Sequence, residues 1–173
     1  MARKKKTAAN ASGSTWTSFA EFEQADTFNV RVTREAMTRE ALILLGRFIA
    51  DAIFSAKQKL SVTVWTANGQ RLFSQAGEGT TCNNDLFLRR KFRTVQHFGM
   101  STMGLHLKLA EAKQSLVTRY SLSESEFATC DGGIPIYVND LMVAIVTVSG
   151  LPLEKDHREL VRMLHEFFND KEE

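Results

Sequence analysis

The sequence lacks the long apolar run that a membrane span requires. No stretch of its 173 residues approaches the roughly 20 consecutive apolar positions that cross a bilayer. The N-terminal stretch also lacks the apolar core of a secretory signal. Two cysteines, Cys82 and Cys130, are too few for a disulfide framework, which favours a reducing compartment. These absences predict a cytoplasmic chain with no membrane contact.

Motifs of known catalytic and metal sites are missing as well. None of the four histidines forms an H-E-x-x-H pair, and neither cysteine belongs to a C-x-x-C pair, so no metal site is predicted. There is no G-x-S-x-G elbow of a serine hydrolase. The glycine-rich stretch 77–81 lacks the lysine of a phosphate-binding loop, so it is not read as a nucleotide site. With no complete catalytic constellation, any catalytic residue is unknown at this level.

What is present is a chain of ordinary domain size with a basic start. Hydrophobic residues make up 43% and charged residues 24%, which is typical of a globular protein. Residues 1–18 are basic and then small and polar, and they are predicted to form a disordered tail ahead of one domain, 19–173. The net charge of +2 includes four basic residues at positions 3–6, and without them it is −2. Binding of DNA is therefore not expected.

The stretch from Asp131 to His157 carries the clearest fold signal. An almost unbroken apolar run at 141–148 is typical of a strand buried on both faces. The run 134–139 alternates as a half-exposed partner strand does. Asn139-Asp140 joins the two runs, and because both residues tolerate positive φ the pair predicts a tight hairpin.

Three more strands and several helices complete the predicted fold. Alternation predicts a strand at 27–32, and Asn68-Gly69 predicts a second hairpin between strands at 60–66 and 70–76. Apolar spacing of about 3.6 residues and capping residues predict helices at 19–24, 34–59, 83–98, 102–116 and 153–168, with a further short helix just before residue 131. The predicted class is α+β, an antiparallel sheet of about five strands with helices packed against it.

The predicted helix 34–59, capped by Thr33, is apolar over more than one face. Its main stripe repeats at helical spacing, and Leu42, Leu44 and Ile49 widen that stripe. Two interpretations stay open. Either the whole face is buried within one subunit, or a second copy of the chain covers part of it. The second interpretation predicts a homo-oligomer.

The predicted helix 83–98 takes its cap from residues 83–85, and its apolar stripe, Leu88, Phe92 and Val95, is predicted to face the core. Ser101 is predicted to cap the next helix, 102–116.

Basic residues line one face of the predicted helix 83–98. Arg90, Arg93 and His97 fall at i, i+3 and i+7, which makes one continuous stripe. Arginine binds carboxylates in a bidentate manner. The stripe is therefore either a contact for an anionic ligand or a solvated face paired with acidic residues.

A glycine pair and a histidine flank the central hairpin. Gly132-Gly133 either lets the backbone approach a ligand closely or simply turns the chain. His157 falls in the first turn of the last predicted helix and points toward the sheet. It is either a core histidine that ties this helix to the strand end or a ligand-facing group that titrates near neutral pH.

Several segments of the sequence resemble those of one known protein family. They are Gly79-Thr80-Thr81, Asn84-Asp85, Arg89-Arg90-Lys91, Val95 to Thr102, Gly132 to Ile136 and the string VTVSGLPLEKDH that ends at His157. Together they resemble the GlcG/HbpS-like family, most of all its small branch described as haem-degrading, with bacterial and fungal members. The resemblance covers residue 20 to the end, and the closing string is its most specific part.

The resemblance implies an α+β domain assembled into large ring-like oligomers that bind haem or another anionic tetrapyrrole, with weak or no haem-degrading activity. With it we predict a ligand site beside Gly132-Gly133. Arg90 and Arg93 would take the carboxylates of the ligand, and Cys130 or His157 would lie nearest to the iron. Apart from haem, no cofactor is indicated.

One position departs from the family pattern. Relatives usually carry a histidine just before the glycine pair, where this chain has Asp131 preceded by Cys130. If that histidine ligates a metal in relatives, this chain either lacks the ligand or uses the Cys130 thiolate. Two other functions stay open: a non-catalytic oligomeric scaffold that docks a protein partner, and an enzyme for an unrelated small molecule.

Overall fold

The computed structural model describes residue 16 and residues 18–24, 30–152 and 155–169. Within these ranges the elements are α1 (Phe19–Gln24), β1 (Val30–Val32), α2 (Arg39–Ser55), β2 (Ser61–Thr66), β3 (Arg71–Gln75), α3 (Cys82–Phe98), α4 (Thr102–Glu111), α5 (Leu116–Tyr120), β4 (Gly133–Val138), β5 (Leu141–Ser149) and α6 (Lys155–Asn169). The predicted strand 27–32 is described from Val30 onward. None of the helices in the described part is both long and apolar enough to span a bilayer.

The five strands form one mixed sheet in the order β1-β4-β5-β2-β3. β4, β5, β2 and β3 pair antiparallel, but β1 runs parallel to β4, with Val30 opposite Ile136. The α+β class is confirmed, and the prediction of a purely antiparallel sheet is wrong at this edge. Alternation reports which residues face the core and says nothing about the direction of the neighbouring strand. The long connection from Val32 to Gly133 leaves ample chain for the crossover that a parallel pair needs.

The central hairpin forms as predicted. Asn139-Asp140 joins β4 and β5, and Asn139 has a φ of 53°, which asparagine tolerates. β5 lies in the middle of the sheet and is buried from Ala144 to Ser149. Its two ends meet different surroundings, because helices cover the Ser149 end whereas the Leu141 end lies open.

Helices cover both faces of the sheet. On one face, α2 and α6 bury the main apolar core, in which Leu45 and Leu164 pack with Val146 of β5. On the other face, α3 packs Phe92 against Ile145. The core therefore has two layers, with β5 between them.

The long helix α2 is shorter than predicted. It begins at Arg39, where the Thr38 side chain accepts a hydrogen bond from the Ala41 backbone N–H at 3.0 Å. The predicted cap, Thr33, lies five residues too early. Threonine is a good cap at either position, so the sequence does not decide between them.

The wide apolar face of α2 is divided between core and solvent. Leu42 and Ile49 are buried within the subunit, whereas Leu44 is 42% exposed. Phe54, in the last turn of the same helix, is 79% exposed. An outward apolar patch exists, but it is narrower than the predicted one.

α3 starts at Cys82, and its cap, Thr81, lies two residues before the first of the predicted caps at 83–85. The Thr81 side chain accepts from the Asn83 backbone N–H, and the Asn84 side chain accepts from the Thr81 backbone N–H at 2.9 Å. This reciprocal pair is a capping box. The predicted inward stripe of α3 is confirmed as buried: Leu88, Phe92 and Val95.

The predicted helix 102–116 is about five residues too long, because α4 ends at Glu111 and α5 begins only at Leu116. Ser101 caps α4 as predicted, but α4 ends at Glu111 and α5 begins behind a cap of its own. Lys113 takes a φ of 52° between them, which interrupts the helix. The short helix predicted just before Asp131 does not form, and this part of the chain is turns and irregular backbone.

Candidate functional site

The closed end of the sheet is formed by Gly132-Gly133, the end of β5 and the start of α6. A Cβ atom at Gly132 would lie 2.7 Å from the Val148 carbonyl oxygen, and one at Gly133 would lie 2.8 Å from Cγ2 of Thr102. Gly133 also donates its backbone N–H to Thr102 Oγ1 at 3.0 Å. The close approach that glycine allows is made here to groups of the protein itself.

A buried ion pair lies against Gly132. Lys91 Nζ is 3.0 Å from Asp156 Oδ2, and the two side chains are 2% and 3% exposed. Lys91 also donates to the Val148 carbonyl oxygen at 2.6 Å, and Asp156 Oδ1 accepts from the Leu151 backbone N–H at 2.8 Å. The pair therefore joins α3 to the end of β5 and to α6.

Sequence reasoning missed this ion pair. Its signal is helical spacing, since Lys91 falls three residues after Leu88 and four before Val95, on the buried face of α3. A buried ammonium group needs a buried partner. Spacing does not identify Asp156 as that partner, because the two residues are 65 positions apart.

His157 lies in the first turn of α6 and is 0% exposed. Its backbone N–H donates to Asp131 Oδ2 at 3.1 Å. Its ring centroid lies 5.6 Å from that of Trp16 and 5.2 Å from that of Phe22. This is the geometry of a core histidine that aromatic rings cover, and Asp131 anchors the first turn of α6.

Trp16 falls inside the stretch that the sequence predicts to be a disordered tail. It contacts Phe22 edge-on at 5.0 Å, and the Arg158 guanidinium carbon lies 4.4 Å from its ring centroid. A tryptophan in an otherwise polar stretch is the signal for such packing. Residues 1–15 and 17 lie outside the described residues, so the tail boundary at residue 18 stays a prediction.

Cys130 is half-buried at the same end. Burial raises the pKa of its thiol above the ordinary value, and the nearby Lys91 ammonium offsets part of that rise. The thiolate that ligates haem iron is therefore scarce near neutral pH. In the described part of the chain, no three His, Cys, Asp or Glu residues cluster as a metal site.

Two arginines of the predicted basic stripe contact consecutive residues of the protein. Arg90 donates from Nε and Nη2 to the Phe127 carbonyl oxygen at 3.3 and 3.2 Å, and its charge lowers the pKa of the Cys130 thiol against the larger effect of burial. Arg93 pairs with Glu126 at 3.2 Å, and both of these side chains are exposed. Both arginines thus lie beside residues 126–127, and their contact with a ligand stays a prediction.

Arg93 lines a small surface cleft of about 360 Å³, which we call the arginine cleft. Its base is formed by two buried rings, Trp65 and Phe92, whose centroids are 4.7 Å apart. The remaining lining residues are Gly69, Arg71 and Arg89. Sequence reasoning did not bring these residues together, because they come from a hairpin and a helix that meet only in the fold.

A wider cleft lies at the open end of the sheet, beside the Asn139-Asp140 turn. This hairpin cleft has a volume of about 740 Å³. Its apolar lining comes from Met37, Leu42, Leu72, Val138, Leu141 and Val143, and Arg34 and Arg39 also line it. Sequence reasoning missed it, and its one local signal is an apolar residue, Leu141, directly after a turn.

Several known proteins are similar to this chain in sequence or in fold. A UPF0303 protein of Brucella melitensis is 35% identical over 127 residues, which is 70% of this chain and 72% of that protein. The crystal structure of the Ybr137w protein matches with a TM-score of 0.80 and 23% identity, over 91% of both chains. The PduOC:heme complex matches with a TM-score of 0.60 and 14% identity, over 81% of this chain and 96% of that one. These two structures show the fold.

The family model that matches the chain covers most of the described domain. It spans residues 37–164, from just before α2 into α6, and its description is "Haem degrading protein HbpS-like". This range includes both clefts almost entirely and most of the closed end. The chain belongs to the HbpS-like family.

Proposed function

We propose that the chain binds haem or another anionic tetrapyrrole as a cytoplasmic homo-oligomer, with weak or no haem-degrading activity. The description of the HbpS-like family supports this, as does the likeness to a PduOC structure with haem. The two free cysteines support a reducing compartment. The hairpin cleft is the observation that carries the proposal.

The hairpin cleft suits a flat, largely apolar ring system. Its volume of about 740 Å³ falls within the roughly 300–1,000 Å³ of small-molecule and cofactor sites. Apolar side chains such as Leu72 and Val143 offer walls against which a macrocycle loses its contact with water. A ligand there would also cover Leu141, which is 70% exposed in the single subunit.

Two arginines of the hairpin cleft suit the carboxylates of such a ligand. Arg39 donates to Gln70 Oε1 at 3.0 Å and keeps further donors on its guanidinium for a second acceptor. Arg34 lines the same cleft. The Asp140 carboxylate of the same cleft would repel an anionic ligand. Its charge is offset by Arg31, whose Nη1 lies 3.5 Å from Asp140 Oδ1.

Among the described residues that line the hairpin cleft, Met37 has a side chain that can ligate haem iron. When bound, haem would supply a redox-active iron. Met37 is partly buried against the main core, so the protein holds its backbone in place while the thioether lies at the cleft. The residues present thus fit the size, the charge and the ligand chemistry of a tetrapyrrole.

The closed end is the second placement for the same ligand. Its proposed contacts are the six residues of the sequence prediction: Arg90, Arg93, Cys130, Gly132, Gly133 and His157. The burial of His157 and the scarcity of the Cys130 thiolate favour the hairpin cleft instead. Access to His157 would require the Trp16 ring to move away.

A haemin titration of the full chain, read at the Soret band, tests the function and its placement. We expect a saturable shift with one haemin per subunit. Leu141→Glu should weaken binding more than about tenfold, because it puts a negative charge into an apolar wall and close to the carboxylates of the ligand. Arg34→Ala should weaken it by about tenfold, since it removes a charge-assisted contact. Val117→Glu is the matched control, because Val117 is 54% exposed on α5 and lines neither cleft.

The alternatives give different results. A wild type without a saturable Soret shift overturns haem binding. If Leu141→Glu binds normally while Cys130→Ala or His157→Ala binds weakly, the function stands and the ligand lies at the closed end. Thermal melts of the Cys130 and His157 variants separate a lost contact from a lost fold.

The second candidate function is a non-catalytic oligomeric scaffold that docks a protein partner. Leu44 and Phe54 favour it, because each is a large apolar side chain that α2 exposes to solvent and that a partner could cover. Light scattering should give a mass several times the 19.5 kDa of one chain, and a monomer mass would contradict a homo-oligomer. Leu44→Glu should lower that mass if α2 forms the interface. Saturable haemin binding distinguishes a tetrapyrrole-binding protein from a scaffold, which should not bind haemin.

A further inference from the structure

Three arginines face one small cleft at the β3 edge of the sheet. Arg71 comes from the start of β3, and Arg89 and Arg93 come from successive turns of α3. Residues at i and i+4 of a helix are neighbours, so the two α3 side chains lie side by side. No acidic residue is among the lining residues of this arginine cleft.

The arginines of the cleft have little to offset their charge. Within the described part of the chain, Arg71 and Arg89 form no ion pair and no side-chain hydrogen bond, and Arg71 lies over the Trp65 ring at 6.0 Å. Arg93 pairs with Glu126, but the two side chains are 52% and 60% exposed, and such pairs contribute little. The guanidinium donors of the cleft are therefore available to a ligand.

The base of the arginine cleft is rigid. Trp65 and Phe92 are both buried, and their ring planes are tilted by 32° to each other. Trp65 Nε1 donates to Thr147 Oγ1 at 3.1 Å, which fixes the indole on the sheet. Gly69 has no side chain, so backbone forms the wall of the cleft beside the Phe92 ring.

We propose that the arginine cleft binds a small polyvalent oxyanion, a compound with two or more phosphate or carboxylate groups. Three like charges around one cavity repel each other, and a polyvalent anion turns that repulsion into attraction. The guanidinium fork binds phosphate and carboxylate oxygens in a bidentate manner.

This site is separate from the haem site that we favour, because the two clefts share no lining residue. It also includes Arg89 and Arg71, which the sequence prediction did not select. The cavity of about 360 Å³ limits the ligand to a small molecule. A failed haemin titration therefore leaves this inference intact, and a failed anion titration leaves the proposal of haem binding intact.

Isothermal titration calorimetry of the full chain at low ionic strength tests the site with two probes, pyrophosphate and citrate. We expect one saturable site per subunit, with affinity reduced about tenfold or more in Arg71→Gln and in Arg89→Gln. Both side chains are exposed, so the variants should keep the wild-type melting temperature. Arg47→Gln is the matched control, because Arg47 is an exposed arginine on α2, outside both clefts.

The two probes distinguish the source of the anion. Tighter binding of pyrophosphate indicates a phosphorylated ligand, and tighter binding of citrate indicates a polycarboxylate; each supports the site. The absence of saturable heat with both probes at millimolar concentration overturns it. Equal weakening by Arg47→Gln also overturns it, because binding would then follow overall charge.

Discussion

The two ends of the central strand β5 differ in what covers them. At the closed end, α3, α6 and the Trp16 ring surround the chain, and Lys91 and Asp156 neutralise each other in the interior. At the open end, Leu141 is 70% exposed beside a wide cleft. The glycine pair that is conspicuous in the sequence thus packs against the interior, whereas the surface open to a ligand is marked by an exposed leucine.

Breaking the buried ion pair at the closed end should lower the free energy of unfolding more than any other change that tests this contrast. Lys91→Met leaves the Asp156 carboxylate buried without its cation, which should lower the free energy of unfolding by about 3–5 kcal/mol. Urea denaturation followed by circular dichroism measures it. Arg93→Met, which removes an exposed pair, is the control and should cost about 1 kcal/mol or less. A loss below about 1 kcal/mol in Lys91→Met would contradict the role assigned to the pair.

Filling the glycine contact at the closed end should have the next largest effect. In Gly133→Ala the new Cβ would lie 2.8 Å from Thr102 Cγ2, and such overpacking costs about 1–3 kcal/mol. Thr102→Ser removes that methyl group and keeps the hydroxyl that accepts from Gly133. The double variant should therefore recover part of the lost stability in the same denaturation experiment. No recovery would mean that the clash lies elsewhere.

Removing the Trp16 ring tests whether the N-terminal segment closes this end. Trp16→Ala loses the edge contacts with Phe22 and His157 and should cost about 1–2 kcal/mol. Deletion of residues 1–15, which keeps Trp16, should change the unfolding free energy by less than about 0.5 kcal/mol. Equal melting temperatures for Trp16→Ala and wild type would instead extend the dispensable tail to residue 18.

Cys130 links the closed end to pH. Its pKa is raised above the ordinary 9.0, so the folded chain holds the thiol proton more tightly than the unfolded chain does. The resulting stabilisation is complete below pH 9.0 and is lost as the pH rises through the folded-state value. Cys130→Ala should make stability less sensitive to pH in that range. Mass spectrometry should show slower alkylation of Cys130 than of the exposed Cys82, and faster alkylation would contradict this burial.

A substitution at the open end should change the free energy of unfolding least. Leu141→Ser exchanges an exposed side chain for a polar one, and the free energy of unfolding should change by no more than about 0.5 kcal/mol. Urea denaturation of the unliganded chain measures it. A loss above about 1 kcal/mol would show that Leu141 contributes to the fold, and the contrast between the two ends would be wrong.

Features with a local signal could be predicted from the sequence. The Asn139-Asp140 turn and the buried stripe of α3 depend on neighbouring residues, and both are confirmed. The parallel partner of β1 depends on Ile136, more than 100 positions away from Val30, and no local pattern encodes it. Helix starts were wrong by a few residues wherever two capping residues compete, as at Thr38.

The candidate sites were harder to predict for the same reason. Lys91 lies on an apolar stripe that is visible in the sequence, but its partner Asp156 is not. The arginine cleft combines Arg71 with Arg89 and Arg93 because a hairpin and a helix meet in space. Spacing within α3 grouped Arg93 with Arg90, and both contact residues 126–127, but spacing could not show that Arg93 also lines a cleft with Arg71.

The position of β5 also affects how the chain is synthesised. β5 is the middle strand of the sheet, yet it is the last strand to leave the ribosome. From Thr66 at the end of β2 to Ser149, synthesis takes about 4–17 seconds at about 5–20 residues per second. For that time the β2–β3 hairpin lacks its inner neighbour, and the apolar face of α2 lacks α6. A nascent chain of this protein therefore exposes an unpaired apolar strand edge, which is a surface that chaperones bind and on which unfinished chains aggregate.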